Sequence, residues 1–402
     1  MSSVRPDRPT VEFDPYDPEL SEPGIWGLYA AARAAGPVVR SERRGGFWVL
    51  TGFDDVRSAL RDPATFSSAS GHRIPTDGTQ RAIPIDFDPP LHTAYRRLMT
   101  PALSPARVRA MKPFLERTIA DLVARFAAGG GGDVVREIAL PLPLLVLTEL
   151  VGFDPDTVAQ FREVTEQMWG SLAGGDEEVD FAGARTRIYE LMQRELADHR
   201  AHGRAGFVRD LLGAEIDGRP LDEDEMTSIL ATFAVAGHET TMNSASTLVH
   251  LLVEQPHLQD RLRADPGLAP RVVEEMLRRC SPAQNFARRA TCPVTVAGQD
   301  IAEGDAVLLS FAAANRDPDR FPDPDRFDVD RDTRGHLAFG WGLHLCPGAA
   351  LARSELSILL TALTAHPPMR AAGEATWSSM RGGNHLGPTR LPIRFSPEGR
   401  RR

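Results

Sequence analysis

One short segment near the carboxyl end constrains this 402-residue chain more than any other feature. Residues 339–353 read FGWGLHLCPGAALAR, which places Cys346 at the end of a glycine-rich loop. Gly340 and Gly342 allow the backbone to bend sharply or to lie against a large flat surface. Pro347 suits the first position of a helix, and the residues after it are good helix formers. The pattern therefore predicts Cys346 at a helix N-terminus, where peptide dipoles and free N–H groups favour the thiolate.

Three interpretations of Cys346 are consistent with this position. An isolated cysteine is most often a small buried hydrophobe. A zinc site would combine Cys346 and His344 with Cys280 or Cys292, but the chain lacks the Cys-x-x-Cys pair that is typical of such sites. A thiolate with open backbone around it is also suited to be the axial ligand of a haem iron.

The whole segment resembles the haem-binding signature of the cytochrome P450 family, which runs Phe-Gly-x-Gly-x-His-x-Cys-x-Gly and then Leu-Ala-Arg. The fixed positions are met by Phe339, Gly340, Gly342, His344, Cys346, Gly348, Leu351, Ala352 and Arg353. The resemblance implies haem b with Cys346 as its thiolate ligand and with Phe339, Gly340 and Gly348 beside the cofactor. It also implies one P450 domain over residues 1–402, mostly α-helical with a small β-rich lobe. Haem would lie between a long central helix and the Cys loop with its helix, and residues 1–20 would form a flexible or extended segment.

Composition limits the partners and the compartment. The formal net charge of −9 argues against nucleic acid as a partner. Three scattered cysteines do not form a disulfide framework and suit a reducing cytoplasm. Residues 1–19 are polar and proline-rich, without the apolar run of a signal peptide or membrane anchor. We therefore expect a cytoplasmic protein without a membrane segment and, from the resemblance, a monomer.

Periodicity and turn residues indicate several structural elements. Residues 47–50 form a short apolar run typical of a strand, and residues 294–309 contain further β-like runs. The helical pattern over residues 221–254 opens with acidic residues, and its apolar middle predicts a buried helix. The small and polar residues 67–84 predict a long loop, and residues 129–132 a flexible connector.

The middle of this long helical pattern carries the motif Ala-Gly-His-Glu-Thr-Thr at residues 236–241. Glu239 and Thr240 are costly inside a buried helix unless they serve a purpose. Taken alone, Thr240 would bond a carbonyl one turn back and Glu239 would find a basic partner. The resemblance implies that the motif crosses the haem opposite the cysteine. Gly237 would then leave room for dioxygen, and Glu239 with Thr240 would deliver the two protons that O–O cleavage requires.

Glu275 and Arg278 are three residues apart, so on a helix they would share one face. Such a pair is common on exposed helices and is not informative alone. The resemblance to the family's Glu-x-x-Arg and Pro-x-Arg-Phe segments implies that both residues join Arg326 in a buried ionic cluster. This cluster would hold the Cys loop and have a structural role.

His92 and Arg96 lie four residues apart, a spacing that on its own indicates a solvated helix face. The resemblance implies instead that both bind the haem propionates, because buried anions require cationic donors. His344 and Arg288 would join them. Arg289 stays an alternative to Arg288, since two adjacent arginines blur the alignment.

The resemblance also indicates the walls of a substrate pocket. The residues expected to line it are Ile83, Ile85, Trp169, Phe233, Ala234, Ala283, Phe286 and Leu386. They belong to segments 70–86, 168–172, 233–237, 283–287 and 384–386. Their mainly apolar character predicts a mainly apolar organic substrate.

Together these motifs imply a haem-thiolate monooxygenase that uses O2 to hydroxylate or epoxidise such a substrate, for example a natural-product intermediate of antibiotic biosynthesis. Electrons would come from NAD(P)H through a reductase and a ferredoxin, docked on the Cys side near Arg97, Arg107 and Arg353. A P450 that performs oxidative coupling or ring formation is the alternative. A third hypothesis is a non-catalytic haem-binding or ligand-binding protein. The intact Glu239–Thr240 pair argues against it.

Overall fold

The computed structural model describes residues 9–76, 81–172, 180–380 and 384–396, and side chains are described for these except at residues 168–172 and 181. The α-helices of this part, numbered α1 to α13 in chain order, are Gly24–Ala35, Phe53–Ala59, Leu91–Met99, Pro105–Ala128, Pro141–Val151, Pro155–Leu172, Phe181–His202, Phe207–Leu212, Glu223–Glu254, Pro256–Ala264, Ala269–Cys280, Phe311–Ala314 and Ala349–Thr364. The strands, β1 to β14, are Val38–Ser41, Phe47–Leu50, Phe66–Ser67, Gly131–Asp133, Glu215–Ile216, Arg219–Pro220, Asn285–Ala290, Val294–Val296, Gln299–Ile301, Ala306–Ser310, Met369–Ala371, Thr376–Trp377, Pro388–Arg390 and Pro392–Phe395.

These elements confirm the predicted fold class, mostly α-helical with small sheets. The prediction of a single domain over the whole chain stays a prediction. None of the described helices is both long and apolar enough to cross a membrane.

Helix α9 is the long central helix that the sequence predicted. It begins with a capping box, in which the Asp222 carboxylate accepts the Glu225 N–H and the Glu225 carboxylate accepts the Asp222 N–H. Acidic residues at 223–225 complement the helix dipole. Helices α5, α7, α11 and α13 pack around α9, so most of its side chains are buried. The motif at residues 236–241 therefore lies inside the helical core.

Helix α13, which follows the Cys loop, is anchored against α4. Its apolar side chains Leu356, Leu359 and Leu360 are fully buried, as are Leu115 and Ile119 of α4. Each leucine buried in this way stabilises the fold by about 1.5–3 kcal/mol relative to an exposed one. The chain that leaves the Cys loop is thus fixed by core packing.

The largest sheet has the strand order β1-β2-β10-β7-β3. Strand β2 pairs antiparallel with β1 and parallel with β10, which in turn pairs antiparallel with β7. All four residues of β2 are buried, which explains why residues 47–50 form an apolar run without alternation. The strands expected at 47–50 and within 294–309 are confirmed.

The predicted flexible connector at residues 129–132 is wrong in its second half. Gly131–Asp133 forms strand β4, which pairs with β14, Gly132 opposite Ile393. A Cβ atom at Gly131 would lie 2.3 Å from the Ile393 carbonyl oxygen, so glycine serves close strand approach here. The expected loop at 67–84 has no regular element after β3 in its described part, and residues 77–80 lie outside that part.

Candidate active site

The Cys loop runs from Phe339 to Gly348 and is closed by its own backbone. The Cys346 N–H donates to the Phe339 carbonyl over 2.9 Å. Gly342 has φ 66°, and a Cβ atom there would lie 2.5 Å from the Leu60 carbonyl oxygen. Helix α13 begins at Ala349, so the expectation that Pro347 is the first helical residue is wrong. Pro347 precedes the N-cap residue Gly348.

Burial raises the pKa of the Cys346 thiol above its ordinary value. The backbone N–H groups of Gly348 and Ala349 and the charges of Arg96 and Arg353 act in the opposite direction but do not outweigh burial. The start of the helix is therefore not sufficient to ionise this thiol. A coordinated metal cation deprotonates a cysteine outright, so a metal would supply the missing stabilisation of the thiolate.

His92 and His344 lie side by side between α3 and the Cys loop, with ring centroids 4.3 Å apart. His344 Nε2 lies 3.1 Å from Ser68 Oγ. His92 is only 1% exposed, and neither of its ring nitrogens finds a hydrogen-bond partner among the described residues. Burial and the charge of Arg96 lower the pKa of His92 to about 4. A buried imidazole without a partner indicates that a further polar group belongs beside it.

Arg288, on strand β7, is a second buried donor without an acidic partner. It is 3% exposed and donates to the Ala287 carbonyl over 2.7 Å, and no described carboxylate lies within ion-pair distance of it. Burial lowers its pKa to about 10. Arg289 is exposed and donates to the Thr76 carbonyl, so the alternative that Arg289 takes this place is not supported.

The residues around this space fit haem. Arg96 of α3 donates to the Leu345 carbonyl, next to Cys346. The charges of Arg96 and Arg288 both act on His92 and His344, so these four side chains lie close together. They form a cationic and hydrogen-bonding set that suits two carboxylates, beside a thiol that suits iron. The described residues contain no cluster of histidine, cysteine and acidic side chains suited to a metal ion on its own.

Glu239 and Thr240 of the predicted motif in α9 are not hydrogen-bonded to each other. Thr240 Oγ1 donates to the Ala236 carbonyl one turn back over 2.8 Å. The Glu239 carboxylate meets the His385 imidazole, with Oε1 2.8 Å from Nδ1. A Cβ atom at Gly237 would lie 3.3 Å from Leu147 Cδ2, so glycine at this position allows α5 to pack closely against α9. The role of Gly237 beside dioxygen stays a prediction.

Burial acts to raise the pKa of Glu239, but its neighbours outweigh this effect. The His385 imidazole contributes most, and Arg73 and His238 act in the same direction at longer range. The pKa of Glu239 is therefore held below its ordinary value. The sequence predicts a basic partner for this carboxylate but does not indicate His385, which lies 146 residues further along the chain.

The ionic cluster below the Cys loop differs from the predicted one in one member. Glu275 Oε2 and Oε1 accept from Arg278 Nε and Nη2 over 2.6 and 2.8 Å, and both side chains are fully buried. The third member is Arg331, whose Nε lies 3.2 Å from Glu275 Oε1. The prediction of Arg326 in this place is wrong, because Arg326 is exposed and pairs with Asp328.

A neighbouring ion-pair cluster was missed by sequence reasoning. Glu274 accepts from Arg353 Nε over 2.6 Å and lies 3.1 Å from His336 Nε2. These contacts link α11, the segment before the Cys loop and α13. Arg353 belongs to the signature motif, but nothing in the local sequence identifies Glu274 as its partner.

The expected pocket residues have different surroundings. Those that keep some accessible surface are Ile85, Ala283 and Phe286. Those buried in apolar cores are Ile83, Phe233, Ala234 and Leu386. Phe233 stacks on Phe207 with ring centroids 4.9 Å apart, which is a core contact. The side chain of Trp169 lies outside the described residues.

Comparison with known proteins agrees with this geometry. The family model for cytochrome P450 matches residues 158–266 and 267–366. The chain is 34% identical to 6-deoxyerythronolide B hydroxylase from Saccharopolyspora erythraea, over 90% of this chain and 95% of that protein. It is 33% identical to linalool 8-monooxygenase from Pseudomonas putida, over 86% and 91% of the two chains. The structure of cytochrome P450 CYP109Q5 from Chondromyces apiculatus aligns with a TM-score of 0.81 at 32% identity, over 96% and 98%.

The chain therefore belongs to the cytochrome P450 family. Its class of activity follows from that membership: it is a cytochrome P450 monooxygenase with haem as cofactor and a cysteine thiolate as the axial ligand. It binds an organic substrate and O2 and receives electrons from a redox partner.

Proposed function

We propose that Cys346 is the thiolate ligand of the haem and that His92, Arg96, Arg288 and His344 hold its propionates. The observation that carries this assignment is the pair of buried donors without acidic partners, His92 and Arg288. Bound haem supplies the metal centre at which dioxygen is activated and the substrate is oxidised. Phe339, Gly340 and Gly348 pack beside it as part of the Cys loop.

On the opposite side, Thr240 and Glu239 handle protons. The Thr240 hydroxyl can turn from the Ala236 carbonyl towards an oxygen in the site, because a threonine hydroxyl rotates to suit its acceptor. The pKa of the Glu239 carboxylate is held below its ordinary value, so it is ionised and can take up a proton and pass it on. Gly237 adds no side chain at its own position on α9, one turn before Thr240.

The reaction is hydroxylation or epoxidation of a mainly apolar organic molecule. Relatives that span nearly the whole chain are named for hydroxylating 6-deoxyerythronolide B and for oxygenating linalool. Apolar residues with accessible surface, Ile85, Ala283 and Phe286, support a pocket of the same character. A natural-product intermediate is the class of substrate that we propose.

The redox partner is a ferredoxin that binds the face of the Cys loop. Leu345, beside Cys346, is an exposed large hydrophobe at 45%. Arg97, which follows the Arg96 that binds the Leu345 carbonyl, and Arg107 of α4 are exposed, and the Arg353 side chain is 43% exposed. An apolar residue among arginines suits a small acidic protein, because charge steers association while apolar contact holds the complex.

Replacement of the cysteine tests the haem assignment. Cys346→Ala should lose the red-shifted Soret band that the reduced carbon-monoxide complex of a thiolate-ligated haem shows. Cys292→Ala, at an exposed cysteine, is the control and should keep the band at full intensity. A Cys346→Ala protein that kept the band would refute the assignment.

A screen of apolar compounds tests the substrate class. A true substrate displaces water from the iron and shifts the Soret band, and product analysis then distinguishes oxygen insertion from coupling.

Partner binding is tested with Arg97→Ala and Arg107→Ala, for which ferredoxin-dependent reduction should slow. Arg43→Ala, at an exposed arginine paired with Glu12, should leave that rate unchanged. Unchanged reduction in both Arg97→Ala and Arg107→Ala would contradict the docking face.

A further inference from the structure

His385 is the hydrogen-bond partner of Glu239, the acid of the α9 motif. Its Nδ1 lies 2.8 Å from Glu239 Oε1, and both side chains are mostly buried, with 15% and 11% of their surface exposed. A hydrogen bond of this kind between two titratable groups gives a proton two possible sites. The surroundings of the pair decide what this contact can do.

The backbone at and after His385 is held by hydrogen bonds. His385 forms an isolated bridge with Ala283, while Leu386 is buried and its N–H donates to the Pro282 carbonyl. The Gly387 N–H and carbonyl both bond Ser378. The imidazole is therefore carried by a backbone that is held at successive residues.

Gly387 sets the distance between this segment and α9. A Cβ atom there would lie 2.3 Å from Asn243 Oδ1, so only glycine allows the backbone to approach so closely. Glu239 and Asn243 are one turn apart on α9, so the contacts of His385 with Glu239 and of Gly387 with Asn243 lie along one face of that helix.

Three groups in the described part of the chain act on the Glu239 charge: His385, Arg73 and His238. Arg73 favours the ionised carboxylate but cannot supply a proton, because a guanidinium does not deprotonate in proteins. Burial lowers the pKa of His238 to about 4, and the ring packs on Phe161, so it is neutral at neutral pH. His385 is the neighbour in hydrogen-bond contact with the carboxylate, and an imidazole can carry a proton on either of its two ring nitrogens.

We propose that His385 is a positioning residue for proton delivery, which holds the Glu239 carboxylate and replaces each proton that Glu239 passes towards Thr240. This inference rests on the proposed role of Glu239. The proton leaves His385 Nδ1 for Glu239 Oε1 while His385 Nε2 takes one proton from solvent water, which leaves the ring neutral with its proton on Nε2. A flip of the imidazole then returns an N–H to Glu239 before the next proton is passed on. Two such cycles supply the two protons that one reaction consumes, without any change in redox state of either residue.

The contact is tested first by proton NMR of the holoenzyme in its diamagnetic reduced carbon-monoxide form. An imidazole N–H bonded to a carboxylate gives a resonance far downfield of ordinary amides. Wild type should show it, and His385→Gln and Glu239→Gln should both lack it. If Glu239→Gln keeps the resonance unchanged, the proposed pair is absent and the inference is overturned.

The reloading role is tested with a plant-type ferredoxin and its NADPH-dependent reductase, with O2 as the only oxidant and no organic substrate added. His385→Phe should slow NADPH consumption about tenfold, a modest share of what a proton-transfer group contributes. His385→Gln can bond Glu239 but cannot relay a proton, so it should be as slow as His385→Phe and show a larger solvent isotope effect than wild type. A wild-type rate in His385→Gln would overturn the reloading role.

Two controls separate the causes of failure. His250 pairs with Glu254 on the same helix, so His250→Gln is a matched change at a histidine–glutamate pair outside the site and should leave the rate unchanged. Glu239→Gln is measured in parallel. If it is slow and the His385 variants are not, this inference alone fails, whereas a Glu239→Gln protein with the wild-type rate contradicts the proposed role of Glu239 itself.

Discussion

The two sides of the candidate haem site are held in different ways. Below the Cys loop, polar groups bind across elements: Glu275 accepts from Arg278 and Arg331 and from the Asp328 N–H. On the α9 side, hydroxyls mostly bond back to their own helix, as Thr240 does to the Ala236 carbonyl. The first arrangement ties distant segments together, and the second does not.

The buried amide of Asn243 extends this contrast. Neither its oxygen nor its nitrogen finds a partner among the described residues, although the side chain is fully buried. Unpaired buried polar groups are costly and commonly mark a place for water. The Cys side is therefore built to fix a ligand, whereas the α9 side leaves polar groups available for protons and water.

The largest expected effect on stability is on the Cys side. Glu275→Gln leaves the fully buried Arg278 without a counter-charge, so the free energy of unfolding should fall by about 3–5 kcal/mol. Denaturant titration of the holoenzyme measures the change. Glu254→Gln, at a pair that is 58% exposed on the glutamate, should cost under about 0.5 kcal/mol. An equal loss of unfolding free energy in both variants would contradict the structural importance of the buried Glu275 cluster.

The corrected cluster makes the next prediction. Arg331→Met removes charged hydrogen bonds to Glu275 and to the Asp323 and Arg326 carbonyls, which should cost about 2 kcal/mol. The same substitution at exposed Arg326 should cost under about 0.5 kcal/mol. Both are measured by denaturant unfolding. A larger loss of stability for Arg326→Met would support the sequence prediction that Arg326 belongs to the cluster with Glu275 and Arg278.

The adjacent arginines of β7 offer a test of cofactor retention. Arg288→Met removes a buried donor from the proposed propionate site, so haem transfer to a haem acceptor such as apomyoglobin should accelerate about tenfold. Arg289→Met changes an exposed residue and should alter the rate less than about twofold. The transfer is followed in the Soret band, and the reverse order would favour Arg289.

The Glu274 contacts predict a pH dependence. Burial acts to raise the pKa of Glu274, but His336 and Arg353 outweigh it and lower the pKa to about 2 from 4.5. A lowered folded-state pKa gives stability above pH 4.5 that is lost as the pH falls towards 2. The stability difference between wild type and Glu274→Gln, about 1 kcal/mol at pH 6, should therefore shrink between pH 5 and pH 3. A difference independent of pH would contradict the ion pair.

The smallest expected change in stability is on the α9 side. Thr240→Val removes a hydroxyl that bonds only its own helix, so unfolding should change by less than about 0.5 kcal/mol. Peroxide released per NADPH should nevertheless rise, because the proposed donor near the reacting oxygen is lost. A loss of stability comparable with that of Glu275→Gln would show that this side is also structural.

The sequence predicted best what local chemistry determines. The acidic start of α9, its buried character and the bent Cys loop follow from residues close in the chain, and the structure has them. It predicted less well what distant partners determine. Gly131 and Gly132 lie in a strand only because β14, about 260 residues later, comes beside them.

The error at Arg326 has a similar cause. Arg326 and Arg331 lie in one irregular segment, and their local sequence does not indicate which side chain turns inward. The fold of residues 322–331 decides it, because the Arg331 guanidinium meets several carbonyls of that segment as well as Glu275. The local sequence does not predict the contact between His385 and Glu239 either, because that contact depends on how residues 384–388 approach α9.

The contact at Gly342 also bears on how this protein can be recombined with its relatives. Gly342 lies directly on the carbonyl of Leu60, just after helix α2, with no room for a methyl group between them. A chimera that takes residues 339–348 from one parent should therefore take residues 53–61 from the same parent. The two segments, almost 300 residues apart in the chain, form one unit of exchange.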